Sequence, residues 1–315
     1  MDRYSCSGCR RQFPALLGIP DLRVKVDAWV DFDEDTALAR QLAAFYHKET
    51  YEQLIARVWQ NRTELARSIV ERRLAEMRRA ERRYHASVSP GGWLGPWFEA
   101  QKGLVSCLEI GCGAGAFLAA VPRSCRVAGI DVSLAWLVTA KKRLEEGGLS
   151  GLLACACVER LPFPDASFDR VTSFDVLEHV ANPSQMLAEV RRVTRAAGWV
   201  FCTTPNRFSL TAEPHVGVWG VGFLPPRCRE PYVRWRRGMS YRYVFPLSLW
   251  DLRRLFRSDF AAEIRIPKLW EGDFASFPPL KRRVAGVYNH TVRSRLLSRI
   301  ILPVAPYFEV VARAA

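Results

Sequence analysis

The pattern of apolar and polar residues divides the chain into alternating strands and helices. Short apolar runs predict buried strands at 105–110, 126–131, 152–157, 169–174 and 198–203, and a later pair of antiparallel strands. Segments with helical periodicity separate these runs. Strands that alternate with helices form a mostly parallel sheet covered on both faces. The sequence therefore predicts a doubly wound α/β fold of seven strands, with ligands at the carboxyl ends of the strands.

The first of these strands ends in a glycine turn. Gly111, Gly113 and Gly115 follow Glu109 at every second position, and a helix-forming segment comes next. Glycines at such a turn let the backbone approach a ligand. The second strand ends in Asp131, where a carboxylate can accept hydrogen bonds from ribose hydroxyls. This series predicts a nucleoside-binding site. An acid precedes the turn, and the turn contains no basic residue. Such a site suits a cationic ligand better than a pyrophosphate.

The glycine turn resembles the first motif of the class I S-adenosylmethionine-dependent methyltransferases. Asp131 corresponds to the ribose-binding acid of that superfamily. The segments 161–169 and 170–180 are similar to its loop and fourth strand, so the resemblance covers about residues 100–265. It implies a Rossmann-like methyltransferase fold, S-adenosylmethionine as the cofactor and methyl transfer as the reaction.

The resemblance also implies which residues bind the cofactor: Glu109, Gly111, Cys112, Gly113, Gly115, Asp131, Val132, Val158, Glu159 and Phe174. One segment departs from the family. Cys157-Val158-Glu159 stands where relatives have Asp-Ala-Glu. We therefore expect adenine to be recognised by the Val158 backbone, by Glu159, or by apolar contact with Val132 and Leu161.

Polar residues that follow the fourth and fifth predicted strands are the catalytic candidates. Asp175, Glu178 and His179 are expected to begin a helix and to share one face of it, and Glu213-Pro-His215 follows the fifth strand. In one interpretation, His215 or His179 is a general base oriented by a carboxylate such as Glu178. In the second, Asp175, Glu178, His179 and His215 bind a divalent cation. In the third, the residues only cap and pack the helix.

The metal interpretation is supported by a second resemblance. Small-RNA 2′-O-methyltransferases have Glu-x-x-Glu-His, Thr-Pro-Asn and a later His as a magnesium site, and this chain has a similar series with Asp175 in place of the first Glu. The resemblance implies Mg²⁺ as a candidate second cofactor. It also makes RNA an alternative acceptor.

Four segments are predicted along the chain. Residues 1–32 resemble half of the zinc ribbon of tRNA-methyltransferase activator proteins, but Cys6 and Cys9 supply only two of the four ligands, so we expect no zinc. Residues 33–92 form a helical extension or lid, 93–275 the methyltransferase core with a substrate lid at 206–246, and 276–315 a basic and apolar C-terminal extension.

The net charge of +14 in 315 residues leaves three explanations open. It can reflect an anionic substrate, contact with nucleic acid or a membrane surface, or an arginine-rich genome. The nine cysteines have irregular spacing, which favours reduced thiols and a cytoplasmic location. We expect no signal peptide, and the run 300–311 is too short and too interrupted by proline to span a bilayer.

The substrate region is predicted within 216–257, where aromatic residues alternate with arginines. Such a surface suits an anionic or amphiphilic acceptor, or single-stranded nucleic acid. The leading hypothesis is a methyltransferase that modifies a hydroxyl of a small molecule (a glycan, lipid or secondary metabolite), assisted by His215 or His179. The alternatives are a metal-assisted RNA 2′-O-methyltransferase and a non-catalytic scaffold that binds the cofactor.

Overall fold

The computed structural model describes residues 2–6, 10–24, 30–62, 67–99 and 104–314. The strands are β1 (Asp2–Ser5), β2 (Gln12–Leu16), β3 (Ile19–Pro20), β4 (Val105–Ile110), β5 (Cys125–Asp131), β6 (Gly151–Cys155), β7 (Phe168–Phe174), β8 (Thr194–Pro205), β9 (Phe260–Arg265) and β10 (Tyr307–Ala314). The helices are α1 (Phe32–Phe45), α2 (Tyr51–Arg62), α3 (Arg67–Val88), α4 (Gly95–Glu99), α5 (Ala116–Ala120), α6 (Leu134–Glu146), α7 (Pro183–Val193), α8 (Pro226–Arg237), α9 (Leu249–Leu255), α10 (Pro279–Arg293) and α11 (Arg295–Ile301).

Seven strands form a mostly parallel sheet in the order β6-β5-β4-β7-β8-β10-β9. Strand β5 pairs in parallel with both β4 and β6, and β10 pairs antiparallel with both β8 and β9. This arrangement confirms the predicted α/β class. The five strands expected from apolar runs correspond to β4 through β8, and β8 begins four residues earlier than its apolar run indicates.

The last strand of the sheet lies outside the predicted core boundary. Strand β10 begins at Tyr307, whereas the sequence analysis ended the core at residue 275. The buried residues Phe308, Val310 and Ala312 alternate along β10, which is the period of a strand with one face on a core. Pro303 and Pro306 interrupt the apolar run just before β10 and concealed this period.

The chain divides into two compact units, of which the first comprises residues 1–172 and 192–195. Helices α1 and α2 pack against α6, and their buried residues, among them Leu42, Leu54 and Leu137, form one apolar cluster. The Tyr46 hydroxyl donates to the Glu145 carboxylate at 2.6 Å. The predicted extension at 33–92 is therefore part of the first unit's core rather than a separate lid.

The N-terminal residues form a small antiparallel sheet, β1-β2-β3, that belongs to the same unit. The Leu22 N–H donates to the Cys155 carbonyl at 2.7 Å, and Asp21 bridges to Cys155 in parallel, so this sheet continues onto β6. Cys6 is not in a disulfide within the described part of the chain, and Cys9 lies outside the described residues.

The second unit comprises residues 173–191 and 196–315. The predicted substrate lid at 206–246 contains α8. Pro226 stands at the first turn of α8, and Gly238 ends it with a φ of 69°; both are normal helix boundary residues rather than signs of a loop. Buried Val233 joins Val216, Val218, Val221, Tyr241 and Val244 in an apolar cluster beneath the helix.

No helix among the described residues is long and apolar enough to cross a membrane.

The Asp169 carboxylate generates a prediction on stability. It accepts hydrogen bonds from the Ser106 N–H (2.9 Å), the Ser106 hydroxyl (2.7 Å) and the Arg195 guanidinium (2.8 Å). Burial raises the pKa of Asp169, but these donors outweigh burial and lower the pKa from 3.8 to about 2. The ionised group therefore stabilises the fold above pH 3.8, and this contribution is lost as the pH falls toward 2.

We expect Asp169→Asn to lower the free energy of unfolding by about 2 kcal/mol at pH 7. The difference from the unmodified protein should shrink below about pH 4, as measured by urea unfolding across pH. Asp165→Asn is the matched control, since Asp165 pairs with Arg192 at 2.9 Å but its side chain is 79% exposed. An equal loss in both variants, or a pH-independent loss, would contradict this assignment.

Candidate cofactor and catalytic sites

The glycine turn in the first unit leaves open space beside its backbone. Gly111, Gly113 and Gly115 all have positive φ, at 70°, 47° and 72°. A Cβ on Gly115 would lie 3.1 Å from the Ala140 Cβ, so close packing on α6 requires glycine there. A Cβ on Gly113 would meet nothing within 4 Å. The turn is thus packed on one side and open at Gly113.

The Asp131 carboxylate holds this turn from the end of β5. One oxygen accepts the Gly113 N–H at 2.9 Å, and the other accepts the Ser133 N–H at 2.8 Å. A carboxylate can accept about four hydrogen bonds, so these two bonds do not by themselves prevent a contact with ribose hydroxyls. The sequence analysis predicted the ribose contact but missed this internal role.

Glu109 is buried at the end of β4, with 4% of its surface exposed. Its Oε2 atom has no hydrogen-bond partner within the described part of the chain. Burial has the largest effect on this carboxyl group and raises its pKa. The Leu118 backbone lowers the pKa and the Asp131 charge raises it, so the net pKa lies well above the usual range. A buried carboxyl oxygen without a partner is costly, so a donor group on a ligand would stabilise it.

The segment expected to contact adenine has two accessible apolar side chains. Val132 and Val158 are half-buried, whereas Cys157 and Leu161 are almost completely buried. Glu159 is also buried. The adenine contacts of this segment therefore stay predictions.

An ion-pair network that the sequence analysis missed supports the Asp131 loop. The Arg23 guanidinium donates to both oxygens of Asp21, at 2.8 and 2.6 Å, and to the Asp35 carboxylate at 3.0 Å. It also donates to the Val132 carbonyl at 3.2 Å. The Arg23 side chain is 2% exposed and that of Asp35 is 1% exposed.

Asp35 completes this support from α1. Its two oxygens accept the Ser133 hydroxyl at 2.5 Å and the Leu134 N–H at 2.7 Å. Its position in the acidic first turn of α1 gives no sign of this role in the sequence. The three residues after Asp131 are therefore fixed by residues far away in the sequence, at separations of 98, 99 and 109 positions.

Three candidate catalytic residues meet in the second unit. The Nε2 atoms of His179 and His215 lie 3.1 Å apart, and Glu178 Oε1 lies 4.0 and 3.7 Å from them. The predicted shared helical face is wrong, because Leu177–His179 form a single 3₁₀ turn and α7 begins only at Pro183. The exposed Asp175 has a φ of 55° and accepts a hydrogen bond from the Thr203 hydroxyl, and it is not part of the group that converges with His215.

The pKa values of the two histidines are shifted in opposite directions. Burial lowers the pKa of His215, but the Glu213 carboxylate, 2.5 Å from Nδ1, outweighs this and the net pKa is raised. Burial and the His215 charge lower the pKa of His179 to about 4. A protonated His215 can therefore donate to Glu213 from Nδ1 and to neutral His179 from Nε2.

Glu178 completes the group as a carboxyl without surface exposure. One oxygen accepts the Thr204 hydroxyl at 2.9 Å. Burial, and then the Asp175 charge, raise its pKa to about 8. The ligand atoms of Glu178, His179 and His215 all lie within 4.8 Å of one another. Two imidazoles and one carboxylate suit a transition-metal ion better than Mg²⁺, which prefers oxygen ligands.

Phe174, the remaining predicted cofactor residue, lies in the second unit at the end of β7. Its ring is 5.5 Å from that of Phe201.

Comparison with known proteins finds matches to the central part of the chain. Residues 108–202 match the family model described as "Methyltransferase domain". The chain is similar to the ubiquinone biosynthesis O-methyltransferase of Maricaulis maris, with 37% identity over 38% of this chain and 48% of the relative. It is also similar to that of Chromobacterium violaceum, with 35% identity over 40% of this chain and 56% of the relative. The chain thus spans about half the length of these relatives.

The fold is similar to that of a solved S-adenosylmethionine-dependent methyltransferase from Aquifex aeolicus. The match covers 76% of this chain and 98% of the Aquifex chain, with 12% identity and a TM-score of 0.45.

The matched segment includes the glycine turn, Asp131 and strand β7. Residues 108–202 are therefore a methyltransferase domain, as the resemblance of this segment to the class I S-adenosylmethionine-dependent superfamily implied. S-adenosylmethionine is the cofactor of this class. The residues of the first unit fit it: Gly113 leaves space, Glu109 has an unpartnered buried oxygen for a donor such as the amino group, and the Asp131 carboxylate lies beside the turn.

We expect Asp131→Ala to weaken the binding of S-adenosylhomocysteine at least about tenfold, since it removes the ribose acceptor and releases the Gly113 turn. Isothermal titration calorimetry measures the change. Asp165→Ala is the control, because that carboxylate is mostly exposed. An unchanged affinity in Asp131→Ala would refute its assigned role.

The Arg23 network generates a separate prediction. Arg23→Lys keeps the charge but loses the planar fork that reaches Asp21, Asp35 and Val132, so we expect weaker S-adenosylhomocysteine binding. Because this effect acts through the Asp131 loop, it should be much smaller in the Asp131→Ala background. Calorimetry of the two single variants and the double variant gives the coupling. Additive effects would mean that Arg23 supports the fold without positioning the loop.

Proposed function

We propose that the chain methylates a hydroxyl of a small molecule, with S-adenosylmethionine as the methyl donor and the His179–His215 pair as the base. The observation that carries this proposal is the hydrogen-bonded series Glu213, His215 and His179. A carboxylate that orients an imidazole is the usual arrangement of a histidine base. The names of the two relatives, both O-methyltransferases, support oxygen as the methylated atom.

The chemistry requires one proton acceptor. The sulfonium cofactor is already activated, so the acceptor oxygen forms a bond to the methyl carbon while the bond to sulfur breaks and a neutral thioether leaves. The hydroxyl proton passes to the histidine pair. Glu213 stabilises the imidazolium that forms on His215, and neutral His179 accepts a hydrogen bond from it.

A cluster of exposed aromatic side chains in the second unit supports the proposal that the acceptor has an apolar or aromatic part. The rings of Trp219 and Phe223 stack 6.3 Å apart, and Phe208 contacts both Phe223 and Trp250. The Arg207 guanidinium lies over the Phe208 ring at 4.9 Å. Trp219, Phe223 and Trp250 are each about half exposed or more. Aromatic side chains beside a cation suit flat or amphiphilic molecules such as a lipid or a secondary metabolite.

Metal-assisted methylation of an RNA 2′-hydroxyl is the second candidate. The observation in its favour is the convergence of the Glu178, His179 and His215 ligand atoms. An ion bound there would lower the pKa of a coordinated hydroxyl and replace the histidine base.

Substitution of His215 tests the proposal. We expect His215→Ala to lower the rate of methyl transfer at least about a hundredfold and to leave S-adenosylhomocysteine affinity unchanged. The exposed His290 provides the control variant His290→Ala. Labelled methyl transfer into small-molecule and RNA fractions measures the rate.

The pH and metal dependence of that rate separate the two candidates. A base works when it is unprotonated, so activity should rise with pH through a midpoint above 6.5, and Glu213→Gln should move that midpoint down. Chelator should have no effect. Loss of activity with chelator, with recovery on added metal and with RNA as the acceptor, would favour the second candidate. A fully active His215→Ala would contradict both.

A further inference from the structure

Helices α10 and α11 of the second unit each present apolar side chains to solvent. Helix α10 is fixed by its other face, where Ala285 and Asn289 are buried. The Asn289 side chain donates to the Leu269 carbonyl and accepts the Leu269 N–H, both at 2.8 Å. The Tyr288 hydroxyl donates to the Pro267 carbonyl at 3.0 Å. The exposed face is therefore not the one that holds α10 in place.

The exposed apolar residues of α10 follow helical spacing. Leu280, Val284 and Val287 are separated by four and three residues, so they share one face. Helix α11 begins two residues after α10 ends and exposes Leu296, Leu297 and Ile300. These six side chains are 44–76% exposed. Clustered apolar exposure of this kind marks an interaction surface.

The same two helices are strongly basic. Residues 279–301 contain Lys281, Arg282, Arg283, Arg293, Arg295 and Arg299, and no aspartate or glutamate. Arg282 donates to three backbone carbonyls of residues 274–277, and Arg293 pairs with Glu271 at 2.9 Å. The other four cations are Lys281, Arg283, Arg295 and Arg299. The two helices contain no acid that could neutralise them.

We propose that α10 and α11 form a docking surface for a membrane that contains anionic lipids. The apolar side chains enter the boundary between headgroups and acyl chains, and the arginines contact lipid phosphates. Since no described helix can cross a bilayer, this contact is peripheral. The binding is a property of this surface and does not depend on the methyl-transfer reaction.

Other occupants match only half of the surface. A second copy docked on the same face would cover the apolar residues, but it would bring like charges together. A nucleic acid would neutralise the cations and leave the exposed leucine, valine and isoleucine side chains in water. An anionic membrane satisfies both features.

Sedimentation of the full chain with lipid vesicles tests the proposal. Vesicles of phosphatidylcholine mixed with an equal amount of phosphatidylglycerol should bind the chain at least about tenfold more strongly than phosphatidylcholine alone. Added salt should weaken this binding by screening. No binding to the mixed vesicles would overturn the proposal.

Two sets of variants separate the apolar contribution from the charged one. Leu280→Ser with Leu296→Ser and Ile300→Ser should reduce binding to the mixed vesicles at least about tenfold, with unchanged S-adenosylhomocysteine affinity as evidence of folding. The control is Leu104→Ser with Leu152→Ser, which removes exposed leucines from the first unit. Equal vesicle binding by the triple variant and the unmodified protein would refute the apolar contact.

Arg283→Gln with Arg295→Gln and Arg299→Gln should reduce binding to the mixed vesicles by a similar factor and change binding to phosphatidylcholine little. Binding to a short RNA that is lost in the arginine variant, with vesicle binding retained, would instead identify a nucleic-acid surface. A concentration-dependent dimer that disappears in the serine variant, without vesicle binding, would identify a self-association surface. Either result overturns the proposal.

Discussion

The Asp131 carboxylate is the constraint on which the glycine turn and the loop after β5 depend. Its two oxygens connect the glycine turn, through Gly113, to the segment that begins α6, through Ser133. Asp35 then holds that segment from α1. One carboxylate therefore sets the shape of a turn whose glycines have positive φ. The apolar packing of α1 and α2 on α6 supports the same loop.

In the second unit, Glu178 is a buried carboxyl group whose desolvation is costly. A carboxyl without surface exposure is costly unless it is neutral or paired, and burial raises its pKa to about 8. Thr204 satisfies one oxygen, and the other faces the two histidines. Strongly perturbed carboxyl and imidazole groups in contact are typical of functional sites. These perturbed groups therefore support the proposal that the cluster takes part in the reaction.

The sequence predicted well the features whose residues lie close together along the chain. The apolar strand, the glycine turn and Asp131 lie within 30 positions, so the fold class could be recognised, and a cofactor site proposed, without a structure. The Arg23 network could not, because it joins residues 98–109 positions apart. The helical face predicted for Glu178 and His179 failed because the chain makes a 3₁₀ turn there, and His215 arrives from another loop. Proline concealed both α8 and β10, since it also occurs at normal element boundaries.

The structure of the chain crystallised with S-adenosylhomocysteine tests the central claim most directly. We predict the ribose hydroxyls within about 2.7 Å of the Asp131 carboxylate, with its bond to the Gly113 N–H retained, and the amino group of the ligand near Glu109. A ligand bound away from the glycine turn would contradict the account. So would an Asp131 carboxylate that contacts only backbone while the ribose is held by other residues.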